Sequence, residues 1–154
     1  MKGNMHNFKV LYHSTDSSSA RSIVRSGFML RGSDSCMFGS GIYFAESPKI
    51  AERKACYGSS ESAISEGEVA LGRCYQPKTA DKSLSFYKLL LKGYGSVWAR
   101  PAPDGPMSTY QEWVVYSKCQ VRLLSVKVDG KELLSKKAKR GGALPTSERG
   151  QAWT

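Results

Sequence analysis

Cysteine and histidine are too sparse in this chain to build a metal centre. The four cysteines, Cys36, Cys56, Cys74 and Cys119, form no Cys-x-x-Cys pair, and only His6 and His13 could join them. Structural zinc sites draw on closely spaced sets of nitrogen and sulfur ligands, so no metal is expected. The same scatter is unlike the disulfide framework of a small secreted domain. It predicts unpaired thiols and a reducing, intracellular setting, cytoplasmic or nuclear. No apolar run approaches the roughly 20 residues a membrane-spanning helix requires. Residues 1–9 also lack the apolar stretch of a secretory signal, so no membrane partner is expected. Acids are the other shortage: 13 Asp and Glu stand against 23 Lys and Arg, a net charge of +10. The excess is uneven. From Lys118 to Thr154, nine basic residues face three acidic ones, so +6 of the +10 lies in this stretch. A basic arm is usually a solvated face; its other use is sequence-independent contact with phosphate.

What remains is an ordinary globular composition, 40% hydrophobic and 23% charged over 154 residues, enough for one core. Loose alternation over Phe8–Thr15 predicts a strand. Asp16 to Ser19 offer helix N-caps, Ala20, Ile23 and Val24 fall at helical spacing, and Gly27 is a natural stop. Phe28 to Met37 reads as a loop and Gly41 to Ala45 as a short strand. Ser47-Pro48 opens a second helix, a serine cap with proline at the first helical position, running to about Cys56 and ended by Gly58. Ser59 to Ser65 reads as a polar loop and Glu68 to Tyr75 as a strand. Phe86 to Leu91 predicts one or two helical turns, and Ser96 to Ala99 an extended segment. Arg100 to Ser108, with three prolines and a glycine, is a loop. Glu112 to Ser117 and Gln120 to Val128 read as strands paired through a tight link near Lys118. Past Val128 the pattern dissolves into a polar, basic sequence. Short helices first and strands later suit an α+β fold rather than a doubly wound sheet.

Three segments far apart in the chain carry chemistry: Tyr12-His13-Ser14-Thr15, Phe38-Gly39-Ser40-Gly41-Ile42-Tyr43-Phe44-Ala45, and Tyr110-Gln111-Glu112-Trp113-Val114-Val115-Tyr116. His13 ends a strand, where an isolated histidine is ordinarily a structural residue. Tyr43 lies on a strand, where an aromatic ring is ordinarily core. Gly39-Ser40-Gly41 lacks the third glycine and the following helix of a dinucleotide-binding fingerprint. Glu112 starts an apolar strand, so its carboxylate either ends at the surface or is aimed into a cleft with partners.

Together with Gly67-Glu68-Val69-Ala70-Leu71-Gly72 and Gly93-Tyr94-Gly95-Ser96-Val97-Trp98, these segments resemble the catalytic domain of the poly(ADP-ribose) polymerase-like ADP-ribosyltransferases. The resemblance spans about residues 8 to 128. It implies the ADP-ribosyltransferase fold: two small antiparallel sheets with flanking helices and a central NAD cleft. It implies NAD as substrate. His13 would hold the adenosine ribose, the backbone of Ser14 would clamp the nicotinamide carboxamide, and Tyr43, brought round by Gly41, would stack on nicotinamide. Glu112 would bond the reacting ribose, making His13, Tyr43 and Glu112 the catalytic set. Ser14 stands where the family carries glycine. Ala51 and Lys54 occupy the positions of a family serine and a second stacking tyrosine; Ser47 and Tyr57 are the nearest substitutes, and Tyr57 joins the NAD-binding candidates. By this reading residues 1–128 form the catalytic domain and 129–154 a basic tail. With only a short lead before His13, no occluding helical domain is expected. The segment from Arg100 to Tyr110 is shorter than the acceptor loop of chain-elongating members, so mono-transfer or short chains on protein are expected of a monomer. DNA or RNA as acceptor through the basic tail, or a module that binds NAD or ADP-ribose without turnover, are the alternatives.

Overall fold

A computed structural model of the chain describes residues 7–30, 36–54 and 62–135. In chain order the elements are β1 (Phe8–Thr15), α1 (Ser17–Ser26), β2 (Ile42–Phe44), α2 (Pro48–Lys54), β3 (Ala63–Ala70), β4 (Cys74–Tyr75), α3 (Phe86–Leu91), β5 (Ser96–Ala99), β6 (Glu112–Val115), β7 (Val121–Val128) and β8 (Lys131–Ser135). They form an α+β architecture of two four-stranded sheets, ordered β1-β3-β7-β8 and β2-β6-β5-β4. The first sheet is antiparallel throughout. The second is antiparallel except for β4 and β5, which run parallel. That parallel pair departs from the all-antiparallel expectation, because a connection through α3 returns the chain in the same direction, which a hairpin cannot do.

Local chemistry explains the helix ends. Asp16 caps α1 by accepting the Ser19 N–H at 2.8 Å, and Gly27 closes it at φ 82°, a conformation glycine adopts without strain. Ser47 caps α2, its hydroxyl accepting the Ile50 N–H at 3.2 Å. The expected end of that helix, Cys56 to Gly58, lies outside the described residues.

Three strand boundaries differ from the sequence reading. β3 begins at Ala63, inside the expected loop, and ends at Ala70. Its buried residues are Ala63, Ser65, Gly67 and Val69, a strictly alternating set too small and polar to register as a hydrophobic pattern. Cys74–Tyr75 is a separate short strand of the other sheet. β6 and β7 do not pair: a 3-10 turn at Lys118–Gln120 carries the chain from the second sheet to the first. The buried Gln120 side chain makes that crossing fit. Its amide donates to Ala70 O at 3.0 Å and Gly95 O at 2.7 Å, and its oxygen accepts the Tyr116 N–H at 3.3 Å. Past Val128, an Asp129-Gly130 turn leads to β8, which pairs with β7 where the pattern was expected to dissolve.

The second sheet is buried on both faces. Ile42, Phe44, Trp113 and Val115 pack with Leu11, Val69 and Leu71 of the first sheet side. Val97, Ala99 and Val114 pack on the opposite face with Phe38, Leu84, Leu89 and Tyr116. Beyond this packing, an isolated backbone bridge joins β1 to β2, and the candidate site is built there.

Candidate active site

Tyr12 and Ala45 join β1 to β2 through a reciprocal pair, Tyr12 N–H to Ala45 O at 2.9 Å and Ala45 N–H to Tyr12 O at 2.8 Å. The bridge is isolated; the two strands pair no further. In an antiparallel strand, alternate residues turn their N–H and C=O to opposite edges. Tyr12 faces β2, so Ser14, two residues on, presents its N–H and C=O to that same edge, where pairing has stopped. By the same alternation Tyr43 turns its backbone toward β1, and Ile42 and Phe44 face β6. The result is a notch between β1 and β2, edged by backbone groups of Ser14 and Tyr43. Ser14 has no left-handed backbone, so a serine fits where close approach suggested glycine. Its hydroxyl is buried and finds no hydrogen-bond partner among the described residues.

His13 spans the notch. Its Nδ1 lies 2.8 Å from Tyr43 O, and opposite a carbonyl that nitrogen must carry the proton. The ring sits edge-on to Phe28, with centroids 5.4 Å apart, and to Phe44 at 6.0 Å. The hydrogen bond and the two aromatic walls help to fix its orientation.

Tyr43 is set by the loop before it. Its hydroxyl donates to Gly39 O at 2.7 Å and accepts the Phe38 N–H at 3.2 Å. Tyr116 braces the same loop, donating to Phe38 O at 2.6 Å. Both flanking glycines are required. Gly39 has φ 79°, and a Cβ there would collide with Leu84 O. A Cβ on Gly41 would stand 2.5 Å from Val114 Cγ1 and 3.0 Å from Val115 O, so only glycine lets the loop lie against β6. Tyr43 pairs with Val114, and Glu112, two residues earlier on β6, shares Val114's face of the sheet. Tyr43 and Glu112 therefore project to the same side. Burial pushes the Tyr43 hydroxyl well above its ordinary pKa, and negative charge at Cys36 and Glu112 adds to the push.

The structure therefore gathers His13, Ser14, Gly41, Tyr43 and Glu112 around the β1–β2–β6 junction. Tyr57 lies outside the described residues. Ser47 is engaged as a helix cap, and Ala51 is buried in α2. Beside Glu112 stands a polar chain the sequence reading missed. Trp98 Nε1–H donates to Gln111 Oε1 at 2.9 Å, and Gln111 Nε2–H donates to Glu46 Oε2 at 2.6 Å. Arg53 donates to the Tyr110 hydroxyl at 2.8 Å, tying α2 to the approach to β6. Only the adjacency of Tyr110 and Gln111 to Glu112 could have signalled these contacts. Among the described residues no cluster of three or more His, Cys, Asp or Glu is placed to hold a metal.

The family model of the poly(ADP-ribose) polymerase catalytic domain matches residues 1–127, which include every strand of the junction. The chain belongs to this family. No curated protein matches it. As a poly(ADP-ribose) polymerase catalytic domain, the chain has NAD as its family's substrate and ADP-ribosyl transfer as its family's chemistry. The two sheets, mostly antiparallel with few helices, are consistent with that catalytic fold.

Proposed function

We propose that the chain transfers ADP-ribose from NAD to a protein acceptor, singly or in short chains, with release of nicotinamide. The observation that carries this reading is the notch where β1 and β2 part. An amide entering there would meet a backbone donor and acceptor on Ser14, so the clamp survives the loss of the family's glycine. His13, held by Tyr43 O, binds a ribose hydroxyl. Tyr43 has its hydroxyl tied to its own loop, which leaves the ring for stacking. Glu112, on the Tyr43 side of β6, bonds the nicotinamide ribose. As the bond from the ribose carbon to the nicotinamide nitrogen breaks, its electron pair leaves with nicotinamide and positive charge builds on the ribose. A fixed carboxylate stabilises that charge, and it can take the proton from an acceptor that bonds the same carbon. Tyr57 remains a candidate second stacking ring.

The connection from β5 to β6 supports mono-transfer. It folds on itself, with Met107 N–H donating to Arg100 O at 3.0 Å and Ala102 N–H to Met107 O at 2.8 Å. Such a closed turn offers little surface to a growing ADP-ribose chain. The catalytic unit by this reading extends through β8, and residues 136–154 form the basic arm. Glu112→Gln tests the chemistry: nicotinamide release should fall by about 10² to 10³ while NAD binding persists. Equal turnover in the two proteins, or NAD binding without release in the wild type, would refute it. Protein and nucleic-acid acceptors compared side by side with labelled NAD identify the acceptor.

A further inference from the structure

The α3 segment leaves its apolar side uncovered. Leu84 and Leu89 root it in the core beneath, at 8% and 2% exposure. Outward it shows Phe86 at 40%, Tyr87 at 76%, Leu90 at 56% and Leu91 at 87% exposure. At about 100° per residue these four fall on one arc of about 140°, on the far side from Leu89. The short helix is held in shape at both ends. Ser85 accepts the Lys88 N–H at 3.3 Å, and Gly93 turns the chain away at φ 79°.

Cations flank this tip along the chain. From Arg73 to Tyr94 there are five basic residues, Arg73, Lys78, Lys82, Lys88 and Lys92, against the single acid Asp81. All five are exposed. Arg73 lies over the Tyr94 ring at 4.9 Å and Lys92 over the Tyr75 ring at 6.0 Å, so part of the collar is braced by aromatic faces. A protein groove receives side chains, whereas here the side chains protrude. A protruding apolar tip within a positive collar is complementary to a fluid, negatively charged surface that can close round it.

We propose that α3 docks this domain on an anionic lipid bilayer, with Phe86, Tyr87, Leu90 and Leu91 entering the interface and the collar of Lys and Arg facing the headgroups. The expectation of no membrane partner rested on the lack of a spanning run, and a surface contact needs none. Docking would also orient the NAD site, since Gly39, whose carbonyl holds Tyr43, abuts the backbone of Lys82 and Leu84 just ahead of α3.

Sedimentation with vesicles tests the proposal on the full 154-residue chain. Phosphatidylcholine vesicles with and without a third phosphatidylserine are compared at low and physiological salt. Binding should require phosphatidylserine and weaken with salt. Leu90→Ser/Leu91→Ser changes exposed positions and should lower partitioning about tenfold or more without lowering Tm. Lys88→Glu/Lys92→Glu should lower it by at least about fivefold per site. A leucine variant that binds like the wild type overturns the proposal. So does equal binding to neutral vesicles, or α3-dependent capture of single-stranded RNA or an acidic peptide with no lipid binding.

Discussion

Tyr43→Phe separates what the Tyr43 hydroxyl does from what its ring does. The change removes one oxygen and keeps the ring. That oxygen serves the loop: it donates to Gly39 O at 2.7 Å and accepts the Phe38 N–H at 3.2 Å. Phe38 and Gly39 are both buried, so water does not readily replace it. Leaving a buried polar group unsatisfied costs about 1–3 kcal/mol. The phenylalanine recovers part of this by not burying a hydroxyl, so a net loss of about 1–3 kcal/mol is expected for the pair of bonds. At about 2–4 °C per kcal/mol for a domain of this size, Tm should fall by about 2–12 °C. NAD affinity, read by calorimetry well below the new Tm, should change less than about threefold, because the stacking face is intact. Tyr43→Ala removes the ring too and should weaken binding by about 1–2 kcal/mol more, roughly 5- to 30-fold. If Tyr43→Phe keeps its Tm but loses affinity as Tyr43→Ala does, the hydroxyl belongs to the ligand and the assigned role is wrong.

Further outcomes follow from the same junction. Gly41→Ala places a methyl 2.5 Å from Val114 Cγ1 and should cost about 1–3 kcal/mol by chemical denaturation, with nicotinamide release falling as Tyr43 shifts. His13→Ala should weaken NAD binding by about 1–2 kcal/mol in calorimetry, and unchanged affinity would place the ribose elsewhere. Truncation after Ser135 should leave Tm and nicotinamide release intact while lowering modification of acidic or nucleic-acid acceptors at low salt. Truncation after Val128 should lower Tm, because it removes Leu134 from its packing against Ala20, Ala63, Val126 and Val128.

Legibility in the sequence tracked local chemistry. α1 was readable at both ends because a side chain and a glycine announce a cap and a stop. α3 and β5 also fall on the segments expected for them. The start of β3 was not, because its inward face carries Ala63, Ser65 and Gly67, small residues chosen for close packing rather than hydrophobicity. β6 and β7 looked like a hairpin because only three-dimensional context sends them to different sheets; nothing local marks Gln120 as the side chain that bridges the gap. β8 was hidden by its charged flanks. At the site, motif resemblance pointed to His13, Tyr43 and Glu112, but the unpaired edge that Ser14 presents to β2 followed only from strand geometry. The Trp98–Gln111–Glu46 chain joins residues 13 and 65 positions apart, a separation no local pattern encodes.

Sheet membership alternates along the chain, the first sheet taking strands 1, 3, 7 and 8 and the second 2, 4, 5 and 6. During synthesis, then, neither sheet can be finished before most of the protein has left the ribosome. β1 can meet β3 early, but the apolar side of that pair, with Leu11 and Val69, is covered by Trp113 and Val115 of β6. At about 5–20 residues per second, roughly 2–9 s pass between the end of β3 and the end of β6. For that interval the nascent chain carries an open sheet edge and an uncovered core, the state that molecular chaperones shield. The notch between β1 and β2 cannot exist earlier, because β2 gains its partner only when β6 arrives. A prematurely terminated chain lacking β6 would therefore lack the notch on which the proposed NAD site depends.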